Sequence, residues 1–202
     1  IGKHRTVDEV MEIIKKDEMY YQQSGGGVTI GGGEPTVQPE FTLALIRECK
    51  KNYIHTAVDT CGYTVTDKGL AVLEEADLIL LDIKGMNPQE HTKNTGVSNE
   101  IILNNLRRLD SLNKSIIIRI PLIPGHNDSE GNIEKTAAFL SNIKHIERVD
   151  IIPYHKYGKI KYAEIGMAYP LEHLENDFIS QETLDNVILI FTHHGLHVQI
   201  GG

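Results

Sequence analysis

Apolar, β-rich runs recur along this 202-residue chain with a helix-patterned segment between them, and that alternation limits the fold more than any other feature. The runs are Val28–Ile30, His55–Asp59, Leu78–Lys84, Ile116–Ile123, Val149–Tyr154 and a final Leu196–Ile200. Between them, apolar residues at helical spacing predict helices over Glu40–Lys51, Thr66–Glu75, Glu100–Leu112, Asn132–Asn142 and Gln181–His193. A further helix is expected over Thr6–Tyr21, where Thr6-Val7-Asp8-Glu9 is a capping box that satisfies two orphan amides. Strands that are nearly continuous in apolar residues and separated by helices read as a parallel sheet, because crossover helices cover it. The polar, chemistry-capable residues fall at or near the carboxyl ends of several strands: Glu34, Asp59 and Thr60, Asp82 and Lys84, Arg119, and His155. An open doubly wound sheet would gather such residues at one switch point, whereas a (β/α) barrel draws them from many strands. The expected fold is therefore α/β, a barrel or partial barrel in one domain over residues 1–202. The polar and aromatic connection Tyr157–Asp177 is long enough to be a functional loop.

Composition removes several functions. With 28 acidic against 20 basic residues and a formal charge of −8, the chain offers no footprint for nucleic acid. No apolar run approaches the roughly 20 residues that span a bilayer, and the first residues are no secretory signal, so no membrane association and a cytoplasmic location are expected. The two cysteines, Cys49 and Cys61, form neither a disulfide framework nor a CxxC metal pair and read as small buried thiols. HExxH and G-x-S-x-G are both absent, which removes the usual zinc and serine hydrolases.

The first strand run lies between two glycine triplets and ends in Gly31-Gly32-Gly33-Glu34-Pro35. Glycine permits positive φ and close approach of a ligand to the backbone. The turn lacks the Lys-Ser/Thr tail of a phosphate loop and the spacing of a dinucleotide fingerprint. A carboxylate there would repel phosphate and suits a ligand ammonium, although a plain left-handed connection has the same glycine content. Asp82 and Lys84, two apart on a strand, share a face; they are either an internal ion pair or contacts to a zwitterionic ligand. Asp59 and Thr60 either cap the next helix or supply oxygens to a small cation.

Taken in order, Ser24-Gly25-Gly26-Gly27-Val28-Thr29, Gly32-Gly33-Glu34-Pro35, His55 through Tyr63, Asp82-Ile83-Lys84, His91 with Thr95-Gly96, Arg119 through Gly125, and Pro153-Tyr154-His155 resemble the glycyl radical enzyme activating enzymes. These form the pyruvate formate-lyase activating enzyme group of the radical S-adenosylmethionine superfamily. The resemblance implies a TIM-like partial barrel of the radical SAM type. It implies S-adenosylmethionine bound by Gly32, Gly33 and Glu34 at the methionyl amino group, with Asp82 and Lys84 beside the methionyl end. Arg119 and His155 would reach the cofactor or the substrate loop, and Asp59 and Thr60 would help hold a monovalent cation. The implied activity belongs to anaerobic metabolism. One electron from a 4Fe-4S cluster cleaves the cofactor to a 5′-deoxyadenosyl radical, which removes a hydrogen from the glycine loop of a pyruvate formate-lyase-like partner. A flavodoxin or ferredoxin would supply the electron. No protein residue is expected as an acid–base catalyst.

Two departures from the pattern stand out. Gly31 occupies a position where the family commonly has Ser. The three cysteines of CxxxCxxC that would hold the cluster are absent, and two distant thiols do not replace them. Because the chain opens on Ile1 within a few residues of a helix, it is expected to be a fragment lacking the first strand and cluster loop. Such a fragment would keep most of the cofactor pocket and be inactive alone. The alternatives are a cluster-free S-adenosylmethionine or partner-binding module and, further off, a sugar-phosphate barrel enzyme.

Overall fold

A computed structural model describes residues 2–174 and 178–201; Ile1, residues 175–177 at the end of the expected functional connection, and Gly202 lie outside the described residues. The strands are β1 (Gly27–Ile30), β2 (His55–Thr60), β3 (Leu78–Asp82), β4 (Ser115–Leu122), β5 (Ile146–Pro153) and β6 (Val198–Ile200). They form one six-stranded sheet in sequential order, every neighbouring pair parallel. The α-helices are α1 (Val7–Ile14), α2 (Glu18–Ser24), α3 (Pro39–Lys51), α4 (Asp67–Glu75), α5 (Pro88–Thr95), α6 (Glu100–Ser111), α7 (Glu130–Leu140), α8 (Gly158–Glu164) and α9 (Gln181–His193).

Sequential order settles the architecture. Parallel crossovers are right-handed, so strands that always step the same way place every crossover helix on the same side of the sheet. Helices accordingly touch in chain order, α1 on α3, α3 on α4, α4 on α6, and α7 on α9. The main core fills the space between them and one sheet face, with Val58, Ile79, Leu81, Ile116, Ile118 and Leu122 meeting Leu73, Leu106, Leu109, Leu140 and Phe191. A smaller cluster of Met11, Ile14, Leu45, Cys49 and Ile54 fixes α1 on α3. The result is the partial (β/α) barrel that the strand pattern predicts, with β1 and β6 as its unjoined edges.

Helix boundaries differ from expectation where capping outweighs periodicity. The expected Thr6–Tyr21 helix is interrupted by a 3₁₀ turn at Lys15–Asp17, and the helix beyond it has no fully buried residue, only Tyr21 packing against the smaller cluster. Its start follows the capping box, with Thr6 and Glu9 bonded reciprocally. Helix α5 is polar throughout and lacks an apolar stripe. It is set by the Asn87 cap, Pro88 in the first turn and left-handed Gly96 at its end. The 157–177 connection contains α8 rather than open loop. Strand β3 stops at Asp82 instead of Lys84, although Ile83 still donates to the Arg119 carbonyl at 2.9 Å.

The start of β1 tolerates no side chain. A Cβ at Gly27 would lie 2.0 Å from the His55 carbonyl oxygen, whereas one at Gly33 would meet nothing within 4 Å. Gly27→Ala should therefore lower stability by about 3 kcal/mol through overpacking, and Gly33→Ala should stay within about 0.5 kcal/mol of wild type. Denaturant unfolding of the two variants checks both, and equal effects would contradict the packing described.

Candidate functional site

The crossover helices lie over one sheet face, and strand register decides which side chains meet on the other. Asp82, Arg119, Asp150 and Gln199 stand side by side on β3, β4, β5 and β6. Asp59 begins the parallel row of Asp59, Leu80, Ile117 and Arg148. Each acidic group has a basic partner. Arg119 Nη1 donates to Asp59 Oδ2 at 2.7 Å, reaching across β3, and Lys84 Nζ donates to Asp82 Oδ2 at 2.9 Å. Arg148 grips Asp150 with Nε at 2.8 Å and Nη2 at 3.3 Å. Asp150 is only 2% exposed, so its pairing satisfies a charge that burial would otherwise penalise. The first two pairs are partly exposed and open to a ligand, their side chains retaining between 22% and 37% of their accessible surface.

The glycine turn leaves β1 beside Asp59. Gly32 has φ +118°, a conformation that side chains disfavour, while a Cβ on Gly31 would sit 3.5 Å from Asp59 Cβ in ordinary contact. The serine common at that position in the family would therefore place its Cβ without a clash. Glu34 fastens the turn. Its Oε1 accepts from the Thr36 amide at 3.2 Å, the Thr36 hydroxyl at 2.9 Å and the Thr60 hydroxyl at 2.8 Å. Its Oε2 accepts from the Cys61 amide at 2.9 Å. Burial pushes the Glu34 carboxyl up, but hydrogen bonds from the Cys61 amide and thiol, the Thr60 hydroxyl and the Thr36 amide outweigh it and hold the pKa below the usual range.

The structure thus gathers Glu34 with Thr60, Asp59 with Arg119, and Asp82 with Lys84 and Arg119. Gly32 and Gly33 leave the turn's backbone uncovered. With donors on both Glu34 oxygens, the carboxylate anchors the turn; among the described residues the Glu34 and Pro35 carbonyls accept hydrogen bonds, and those of Gly31, Gly32 and Gly33 are the unoccupied acceptors of the turn. Thr60 is similarly engaged, donating to Glu34 and accepting from the Gly62 amide at 2.9 Å. His155 is exposed just past β5, its ring 4.7 Å from that of Tyr157. The sequence reading missed Arg148 and Asp150, whose alternate placement on a strand was the available signal, and Thr36, whose signal was its place two residues after the carboxylate.

A cavity of about 760 Å³ lies against this turn, between Gly31, Gly33 and Glu34 on one side and Lys3, His4 and Arg5 on the other. None of Asp59, Asp82, Lys84, Arg119 and His155 lines it. The ion pairs therefore lie on the sheet face apart from this cavity, and the glycine turn borders both.

An iron–sulfur cluster does not fit the residues of this chain. Cys49 is fully buried, its Sγ 3.7 Å from Met11 Sδ. Cys61 is half-buried, its thiol pushed up by burial and by the Glu34 carboxylate. Among the described residues, no three His, Cys, Asp or Glu side chains group as metal ligands. No helix of the described residues is long and apolar enough to cross a membrane.

Comparison with known proteins agrees with the fold and the motifs. The Radical SAM superfamily model matches residues 1–140. The trans-4-hydroxy-L-proline dehydratase activating enzyme of Clostridioides difficile is 40% identical over 205 residues, covering 100% of this chain and 67% of that protein. The choline trimethylamine-lyase activating enzyme of Oleidesulfovibrio alaskensis is 38% identical over 190 residues, covering 93% of this chain and 61% of that protein. The chain thus spans less than two thirds of the length of several curated relatives. The crystal structure of a domain of pyruvate-formate lyase-activating enzyme from Bacteroides vulgatus superposes with a TM-score of 0.71 at 35% identity, covering 88% of this chain and 99% of that one.

Glu34→Gln should cost about 1–3 kcal/mol at neutral pH, because an amide NH₂ would face a donor. The folded-state pKa of Glu34 lies below its unfolded value, so its contribution is full above the unfolded pKa and lost as pH falls through the folded one. The stability gap between wild type and Glu34→Gln should therefore close on acidification. Unfolding measured at pH 7 and in acid tests this, and a gap constant with pH would contradict it.

Proposed function

This chain belongs to the Radical SAM superfamily, among the activating enzymes of glycyl radical enzymes, and on that premise we propose that it supplies their S-adenosylmethionine-binding and partner-facing portion. One observation carries the reading: the glycine turn, the Asp59–Arg119 pair and the Asp82–Lys84 pair converge at the carboxyl ends of adjacent strands on an unburied face. That arrangement suits a zwitterion. The turn's carbonyls accept the methionyl ammonium, and Lys84 and Arg119 face its carboxylate. Asp59 and Asp82 balance those cations or share a monovalent cation near Thr60. His155 contacts the cofactor or an incoming glycine loop from the mouth.

When bound, S-adenosylmethionine supplies a sulfonium whose reductive cleavage begins the superfamily's chemistry. This chain's residues bind and orient it and hold no iron, so no reductive step is assigned to them. Orientation matters because the reacting carbon must lie against its target within a near-attack distance. The whole protein is proposed to act in the cytoplasm on a pyruvate formate-lyase-like partner, with a flavodoxin or ferredoxin as electron donor. The missing cluster ligands favour one second reading, a cluster-free binding module. An upstream CxxxCxxC in the encoding reading frame would decide against it.

Calorimetry should show S-adenosylmethionine binding to the chain, with Lys84→Ala weakening it about tenfold, a change of about 1.4 kcal/mol. Sugar phosphates should not displace it. After incubation with iron, sulfide and a reductant, no 5′-deoxyadenosine should form. Absent binding, or displacement by a sugar phosphate, would overturn the assignment of the site; 5′-deoxyadenosine formation would overturn the inactivity of the chain alone.

A further inference from the structure

Past the last ladder bond, from the Ile83 amide to the Arg119 carbonyl, three successive backbone groups are held by asparagine side chains. Asn127 Nδ2 donates to the Lys84 carbonyl at 3.2 Å, Asn99 Nδ2 donates to the Gly85 carbonyl at 2.9 Å, and Asn132 Oδ1 accepts from the Met86 amide at 2.9 Å. Asn127 is the hub. It is 5% exposed, donates to the Pro121 carbonyl at 2.7 Å and accepts from the Ile123 amide at 2.7 Å. Its own carbonyl accepts from Asn132 Nδ2 at 2.8 Å.

We propose that Asn127 is a positioning residue that sets Lys84 and Asp82 for the ligand, by tying the end of β3 to the end of β4. The proposal rests on the reading of that pair as the methionyl site. Strand pairing alone fixes Asp82 beside Arg119 but ends before Lys84, so the height and direction of Lys84 depend on what grips its carbonyl. An amide suits this task because it both donates and accepts; it closes the gap between two diverging strands without adding a charge beside the ion pairs. Gly85, at φ +154°, lets the chain turn away directly after the gripped carbonyl. Among the described residues no other side chain hydrogen-bonds both strand ends.

The test compares Asn127→Asp, which keeps the shape and the acceptor but loses both donated bonds, and Asn127→Ser with Asp77→Ala. Asp77 lies at the opposite end of the sheet, where it accepts from the Thr56 amide and hydroxyl, each at 2.8 Å. Affinity is read with S-adenosylmethionine and with 5′-methylthioadenosine, which lacks the amino acid end. Both Asn127 variants should lose about tenfold in S-adenosylmethionine affinity and keep methylthioadenosine affinity within about twofold. Asp77→Ala should lower the melting temperature and leave the ratio of the two affinities unchanged. A ratio unmoved by the Asn127 substitutions, or moved equally by Asp77→Ala, overturns the proposal. Side-chain NMR of labelled lysine, with Lys84 identified through Lys84→Arg, separates this from failure of the site reading. If wild type binds neither ligand, a Lys84 signal shifted in both Asn127 variants and not in Asp77→Ala upholds the positioning role. An unshifted signal overturns it.

Discussion

A parallel sheet whose strands follow one another in chain order must carry its crossover helices on one side. The other side then has nothing from those helices to bury it, and this one-sidedness governs the rest of the molecule. That face still carries apolar Leu80 and the buried Ile117 beside its charged groups, and isolated charges near the sheet would be costly. The solution here is a set of ion pairs, Asp59–Arg119, Asp82–Lys84 and Asp150–Arg148. They differ in kind. Asp150 is sealed in and serves the fold, whereas the other two pairs keep enough accessible surface to exchange partners with a zwitterion.

Glu34 and Asn127 do related work at neighbouring strand ends. Each is a polar side chain that hydrogen-bonds the backbone or hydroxyls of adjoining loops and so ties neighbouring strand ends together. Glu34 takes two hydroxyls and two amides and thereby fixes a turn made of glycine. Asn127 takes two carbonyls, one of them that of Lys84, and one amide. The site is built less from reactive side chains than from backbone that other side chains hold still.

Much of this was legible in the sequence because burial leaves a periodic trace. The apolar-rich runs at β3, β4 and β5 and the stripe on α9 read as buried elements, and the polar residues within and after those runs marked the residues that meet on the other sheet face. Helix α5 was invisible because capping at Asn87 and Gly96 made it, whereas most of α2 fell within the expected Thr6–Tyr21 helix and only the 3₁₀ turn dividing it was missed. The role of Glu34 was half legible. A carboxylate beside glycines announced a site, but the bonds that tie it to its own loops come from Thr36, Thr60 and Cys61, the last two more than twenty residues away. Asn127 left no trace, since one asparagine after Pro124-Gly125 reads as an ordinary turn.

Among the described residues the sheet's two edges, β1 and β6, are not joined to each other. A closed barrel receives a macromolecule only through its end, so a segment from the middle of another protein would have to enter as a tight hairpin. An open trough has a side as well as an end. A loop anchored at both of its termini can be laid into it broadside, and the neighbouring surface of its owner needs to part by little more than the trough's depth.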